Sequence, residues 1–237
     1  MAAAALRRAV TAVKPLSDAK ILDSWQRNAE PWTEAVRGNR IETRNLVTNR
    51  AIVEAVMSRS PASVLDIGCG EGWLARELDK TGVRVTGVDA VPELIDKASQ
   101  GGGGTFIVAS YEEIARGKLS LSVDAAVANF SLIGKEAVDE LVAAVPSLLN
   151  DSGALIIQTL HPSAVNGEEP YATGWRPGSW AGFSEDFTDP APWYFRTMET
   201  WVDLIRRSGM CLVGMREPLH PATGKPASLI LIAEVLV

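Results

Sequence analysis

The densest chemistry in this chain of 237 residues lies in the seven-residue stretch DIGCGEG, residues 66–72. Gly68, Gly70 and Gly72 let a chain turn tightly and let a ligand come against bare backbone. Amides at the start of a following helix offer donors to a carboxylate or phosphate. A second acid, Asp89, closes the next strand-like run VRVTGVD, where a carboxylate can accept both hydroxyls of a ribose. Strand, glycine turn, helix, strand and terminal acid together imply an adenosine-containing ligand. The dinucleotide pattern is G-x-G-x-x-G, whereas this turn reads G-x-G-x-G with Glu71 inside it. A carboxylate at the helix start repels a pyrophosphate and tolerates a ligand carrying an ammonium and a sulfonium. Asp66 points the same way.

Groups that can move a proton are few. The chain has two histidines, His161 and His220. His161, in IIQTLHP, follows a strand-like run, and ligands of open α/β sheets bind outside the carboxyl ends of strands. It is therefore the candidate base or substrate contact, with an orienting cap before Pro162 as the alternative. His220, in EPLHPATGKP, is expected to be structural. A helix N-terminus lowers a thiol pKa, but Glu71 beside Cys69 opposes this, and Cys69 is expected to be structural too. No histidine pair or carboxylate cluster has ligand spacing, so no metal is expected.

These residues need a frame. SVLDIGC, VRVTGVD, GTFIVAS, VDAAVANF and GALIIQTL read as strands alternating with the helical stretches WLARELDKTG, PELIDKASQ, EEIARGK and KEAVDELVAAVPSLL. That alternation implies right-handed βαβ units and a doubly wound, mostly parallel sheet. MCLVGMRE and SLILIAEVLV are joined by a loop too short for a helical crossover, so the last strand should run antiparallel. Residues 1–60 read as helical, with Pro31 interrupting the first run. Residues 61–237 form the α/β domain, and residues 162–196 fit no periodic template. This irregular insertion carries Tyr171, Trp175, Trp180, Phe183, Phe187, Trp193, Tyr194 and Phe195, as a cover for a flat acceptor or as a satellite core. Trp25 and Trp32 either join that cover or pack on the sheet.

The run VLDIGCGEGWLARELDKTGVRVTGVDAVPELIDKA resembles the first motif of class I S-adenosylmethionine-dependent methyltransferases. It is most similar to the small-molecule branch that includes ubiquinone-pathway O-methyltransferases. The resemblance covers about residues 63–160. It implies a Rossmann-like, seven-stranded sheet with one antiparallel strand and S-adenosylmethionine as cofactor. By position, Asp66, Gly68 and Gly70 would flank the methionine part, Cys69 would give mainly backbone contact, and Asp89 would hold the ribose. Ala90 and Val91 would line the adenine face, with Ser110 and Tyr111 at its edge. The family often has Asp where Ser110 stands, which weakens that contact. Asn129 and Phe130 would lie beneath the reacting methyl. A basic residue ahead of the first strand grips the cofactor carboxylate in related enzymes; Arg44 is the candidate, against a plain solvated helix charge.

The bulk composition fits this reading. A hydrophobic fraction of 46% and a charged fraction of 22% describe an ordinary globular chain. The net charge of -6 disfavours a nucleic-acid partner. Residues 129–132 also lack the two prolines of the DPPY-like motif of nucleic-acid amino-methyltransferases. Two distant cysteines point to a reducing compartment, and a cytoplasmic location is expected. No apolar run reaches membrane-spanning length. The acid-free start MAAAALRRAVTAVKPLS is expected to form a helix, with a targeting segment as the alternative. The expected function is methyl transfer to a small, aromatic or hydrophobic acceptor, at oxygen. An NAD-dependent oxidoreductase and a non-catalytic cofactor-binding protein are the alternatives.

Overall fold

The computed structural model describes residues 14–164 and 169–236. The expectations for the N-terminal start fall largely on residues 1–13, outside the described residues.

Five strands alternate with helices: β1 (Ser63–Ile67), β2 (Arg84–Asp89), β3 (Thr105–Val108), β4 (Val123–Asn129) and β5 (Leu149–Thr159). The helices between them are α4 (Trp73–Asp79), α5 (Pro92–Gly101), α6 (Tyr111–Ala115) and α7 (Glu136–Ala144). Before them come α1 (Asp18–Arg27), α2 (Ala29–Arg37) and α3 (Asn49–Met57). After them come β6 (Gly174–Arg176), β7 (Trp193–Phe195), α8 (Met198–Arg207), β8 (Met210–Arg216) and β9 (Leu229–Val235).

The main sheet has seven strands in the order β3-β2-β1-β4-β5-β9-β8. As expected, β9 runs antiparallel to both β5 and β8. Alternate residues of the central strands feed two cores, because successive side chains point to opposite faces. Leu65, Ile67, Ala126 and Ala128 join α7 and α8 on one face. Val64, Ala125 and Val127 join α3 and α4 on the other. A parallel sheet covered on both faces accounts for strands that are apolar almost throughout. The strand order reverses between β1 and β4, which opens a crevice at their carboxyl ends.

Two local expectations change. The first helical run breaks at Asn28, whose side chain bonds back to the Ser24 carbonyl at 2.8 Å. Pro31 lies in the first turn of α2, where a missing N–H costs nothing. The insertion expected to be irregular contains a two-stranded antiparallel ribbon, Trp175 pairing with Tyr194. Three-residue strands are too short for periodicity to register.

Candidate active site

The glycine turn leaves β1 at Ile67 and enters α4 at Trp73. Gly68 has φ +70° and Gly70 φ +57°, a region that L side chains enter at a cost. A Cβ at Gly68 would overlap Ser131 Cβ and lie 2.8 Å from Tyr111 Oη. At Gly70 the one atom within 4 Å would be Trp32 Nε1 at 3.5 Å, an ordinary contact, and the glycine borders the cavity that lies against the turn. Asp89 braces the turn: its carboxylate accepts from Gly70 N at 3.0 Å and Val91 N at 2.9 Å.

Against this turn lies a cavity of about 310 Å³. Of the expected residues, Gly68, Gly70, Asp89, Ala90, Val91, Ser110, Tyr111 and Phe130 line it. Asp66, Cys69 and Asn129 line a smaller adjoining space with Arg44 and Trp73, and Trp32 borders both. Several lining residues were not anticipated: Asp18, Ile21 and Leu22 of α1, with Ser131, Ile133, Gly134 and Ala137 after β4. The α1 positions 18, 21, 22 and 25 follow i, i+3, i+4, i+7 spacing, a signal present in the sequence.

Charge is concentrated at the smaller space. Asp66 is buried, and its Oδ2, like Asn129 Oδ1, has no hydrogen-bond partner among the described residues. Burial, helped by Asp89 and opposed by Arg44, pushes Asp66 up to about 7. Burial also raises Asp89, against the backbone amides that bind its carboxylate. The Arg44 guanidinium sits 5.5 Å from the Trp32 ring centre and 5.1 Å from that of Trp73. Burial pushes it down to about 10, with Glu71 and Asp66 opposing. Arg44 is thus a desolvated cation between two indoles, not a solvated helix charge.

Glu71 calls for a correction. Its carboxylate is buried and bound by Arg76 Nη2 at 2.7 Å and Arg37 Nε at 2.8 Å. Two guanidinium groups neutralise the negative charge expected at the turn, so the argument against a pyrophosphate rests on Asp66 and on the G-x-G-x-G spacing.

The other walls are held by local bonds. Ser110 caps α6, accepting from Glu113 N at 3.2 Å in a reciprocal capping box. Tyr111 Oη donates to the Ser131 carbonyl at 3.0 Å, and burial raises its phenol. Phe130 adopts φ +56°, a strained conformation for a bulky residue, fixed by its N–H to the Gln158 carbonyl at 2.7 Å. The thiol of Cys69 is buried and pushed up strongly, first by desolvation. Such a thiol is a poor nucleophile.

His161 is not among the cavity-lining residues. Its Nε2 lies 2.7 Å from Glu217 Oε1, and Nδ1 accepts from Ser163 N at 3.2 Å and meets Ser163 Oγ at 2.7 Å. The crevice opens between β1 and β4, whereas His161 follows β5 and turns toward the chain after β8. His220 stabilises a turn, its Nδ1 accepting from Ala222 N at 3.3 Å.

None of the named insertion aromatics lines the cavity either. Trp180, Phe183 and Phe187 pack on one another edge-on or tilted, and Trp180 meets Trp25 edge-on at 5.7 Å. The insertion grips the outer side of α1. Asn28 and Thr188 exchange bonds of 2.8 and 2.9 Å, and Asp189 pairs with Lys20. It therefore borders the cavity indirectly, through α1 and through bonds to the backbone carbonyls of Ile133 and Gly134.

Comparison with known proteins agrees with this geometry. A ubiquinone biosynthesis O-methyltransferase from Xanthomonas axonopodis pv. citri is 32% identical over 114 residues, 46% of this chain and 47% of the relative. A malonyl-[acyl-carrier protein] O-methyltransferase from Halalkalibacterium halodurans is 33% identical over 109 residues, 43% of this chain and 40% of the relative. The matched stretch thus spans less than half the length of these curated relatives. The fold also resembles a solved 1,6-didemethyltoxoflavin-N1-methyltransferase from Burkholderia thailandensis, bound to its substrate and S-adenosylhomocysteine. That likeness has a TM-score of 0.61 at 19% identity and covers 95% of this chain and 94% of the other. The family model described as a methyltransferase domain matches residues 41–211, and the chain belongs to that family.

Proposed function

We propose that this chain transfers a methyl group from S-adenosylmethionine, its cofactor, to an oxygen of a small aromatic or otherwise apolar acceptor, bound in the cavity between α1 and the segment after β4. The observation that carries this reading is the make-up of the cavity wall beyond the glycine turn, with Ile21, Leu22, Trp25, Ile133 and Ala137 all apolar. No lysine, arginine or histidine lines the cavity among the described residues. Such a wall favours a neutral acceptor by burial and offers no counter-charge to an acidic one.

The cofactor, when bound, supplies a methyl group on a positively charged sulfur. The residues in place suit such a group. Asp66 Oδ2 and Asn129 Oδ1, both buried without a partner, are acceptors awaiting a donor such as an ammonium. Arg44, without an ion pair among the described residues, suits a carboxylate. Asp89 would take the ribose hydroxyls, Ala90 and Val91 the adenine face, and Ser110 and Tyr111 its edge. Gly68, Gly70 and the backbone of Cys69 would leave room for the methionine chain, with Phe130 beneath the reacting carbon. The apolar wall would exclude water and align the acceptor for in-line displacement.

Oxygen as the target atom is supported by the names of the two curated relatives, both O-methyltransferases. The test is to incubate the protein with S-adenosylmethionine and separate panels of phenols, heteroaromatic amines and fatty acids, following S-adenosylhomocysteine release and identifying products by mass spectrometry. Methyl ethers of neutral phenols are expected. Turnover confined to the fatty acids or to the amines would overturn the reading.

A further inference from the structure

The residue that fastens α1 over the cavity is Asp18. Its carboxylate crosses to the first turn of α7, where Oδ1 accepts from Lys135 N at 2.7 Å and Oδ2 from Ala137 N at 2.9 Å. These are amides that a helix cannot satisfy internally. Lys135, at the N-cap position of α7, makes no capping bond with its own side chain, so the cap comes from a helix 117 residues earlier. Gly134 makes room for it, since a Cβ there would overlap Asp18 Oδ1.

The surroundings make this link decisive for the position of α1. The one fully buried residue of α1 is polar, Ser24. Leu22 and Trp25 reach only a small apolar cluster with Ala29, Val91 and Leu94, apart from the two cores of the sheet. The outer side of α1 is tied to the insertion by Asn28 and Thr188. Its cavity side is tied to α7 by Asp18. The α7 end is itself fixed, because Arg196 donates to the Gly134 carbonyl at 2.7 Å and to Asp139 at 2.9 Å.

We propose that Asp18 is a positioning residue that closes α1 over the methyl-transfer cavity by capping α7, and that breaking this cap opens the path for cofactor exchange. The choice of ligand rests on the methyltransferase assignment. The test is stopped-flow tryptophan fluorescence with S-adenosylhomocysteine, using Trp25 and Trp32 in the cavity wall as reporters. In Asp18→Ala, association and dissociation rates should both rise about tenfold while Kd shifts by less than about threefold, because the open state is favoured without loss of a ligand contact. Asp18→Asn keeps one acceptor oxygen and should fall between wild type and Asp18→Ala. Should Asp18→Ala not fold, unchanged rates in Asp18→Asn overturn the proposal. It is equally overturned if Asp18→Ala lowers Tm with rates unchanged, or if dissociation and Kd rise together at constant association. Failure of wild type to bind S-adenosylhomocysteine would instead strike at the cofactor assignment.

Discussion

Asp66, which our proposal places beside the ammonium of the cofactor, should give ligand binding a measurable pH dependence. Its carboxyl is 1% exposed, has an oxygen without a partner, and is pushed up to about 7 by burial and Asp89. An ammonium beside it requires the ionised form, so below that pH each binding event must first remove a proton. Affinity should then fall by about tenfold per pH unit, or roughly 25-fold between about pH 7.5 and 5.5. The assay is calorimetric titration with S-adenosylhomocysteine, whose ammonium stays protonated across that range, in buffers of different ionisation heat. Proton release should approach one per ligand at the acid end. Stability follows from the same shift. The folded pKa lies above the unfolded one, so the stability from neutral Asp66 is full below about pH 4 and is lost as pH rises to about 7. Asp66→Asn should therefore bind with a flat pH profile and unfold at higher temperature than wild type at pH 8. A wild-type affinity independent of pH over this window, or a slope retained in Asp66→Asn, would refute the reasoning.

Three further outcomes follow from the same geometry. Gly68→Ala must hold φ +70° and push its Cβ into Ser131. It should cost about 2 kcal/mol or more in urea unfolding, and an unchanged midpoint would count against the geometry of the turn. Arg44→Met keeps the packing between Trp32 and Trp73 but removes the half-buried cation. Affinity for S-adenosylhomocysteine should drop by about 1.5–3 kcal/mol with the fold intact, whereas an unchanged Kd would remove Arg44 from the carboxylate site. His161→Ala should lower Tm by releasing Glu217 while the methyl-transfer rate stays within about threefold. A loss of about 100-fold or more, with an altered pH–rate profile, would reinstate His161 as the base.

What the sequence reveals depends on how far apart the partners are. The glycine turn and Asp89 are legible because a strand, a tight turn and the next strand lie in continuous sequence. The antiparallel β9 is legible because its connection from β8 is too short for any alternative. Glu71 was misread because its two cations come from different helices, Arg76 from α4 and Arg37 from α2. Arg44 looked like a surface charge until Trp32 and Trp73 enclosed it, since no local pattern encodes a contact across three elements. His161 occupies the expected strand end, yet strand ends are not equivalent. The crevice follows the reversal of strand order, which the pattern of elements does not place beside any particular histidine.

The cavity and the smaller space beside it owe their properties to different physics. In the smaller space, where our proposal puts the methionine part, Asp66 Oδ2 and Asn129 Oδ1 are buried without a partner among the described residues and Arg44 is packed between two indoles, so folding has borne part of their desolvation cost. A complementary zwitterion recovers that cost on binding, so these groups should discriminate sharply against ligands lacking either charge. At the proposed acceptor end, both carboxylate oxygens of Asp18 are engaged by α7 amides, and the walls of α1 and α7 are otherwise mainly apolar, with Glu112 and Ser131 the polar groups nearby. Such a surface tells ligands apart by volume and shape, with about 1–3 kcal/mol at stake per methylene. One of its walls, α1, is held by Asp18 and by the Asn28–Thr188 bonds rather than by either core of the sheet, whereas the segment after β4 is anchored in a core through Leu132 and α7. Acceptor choice can therefore change through α1 and the insertion that grips it while the cofactor end stays fixed on β1, β2 and β4.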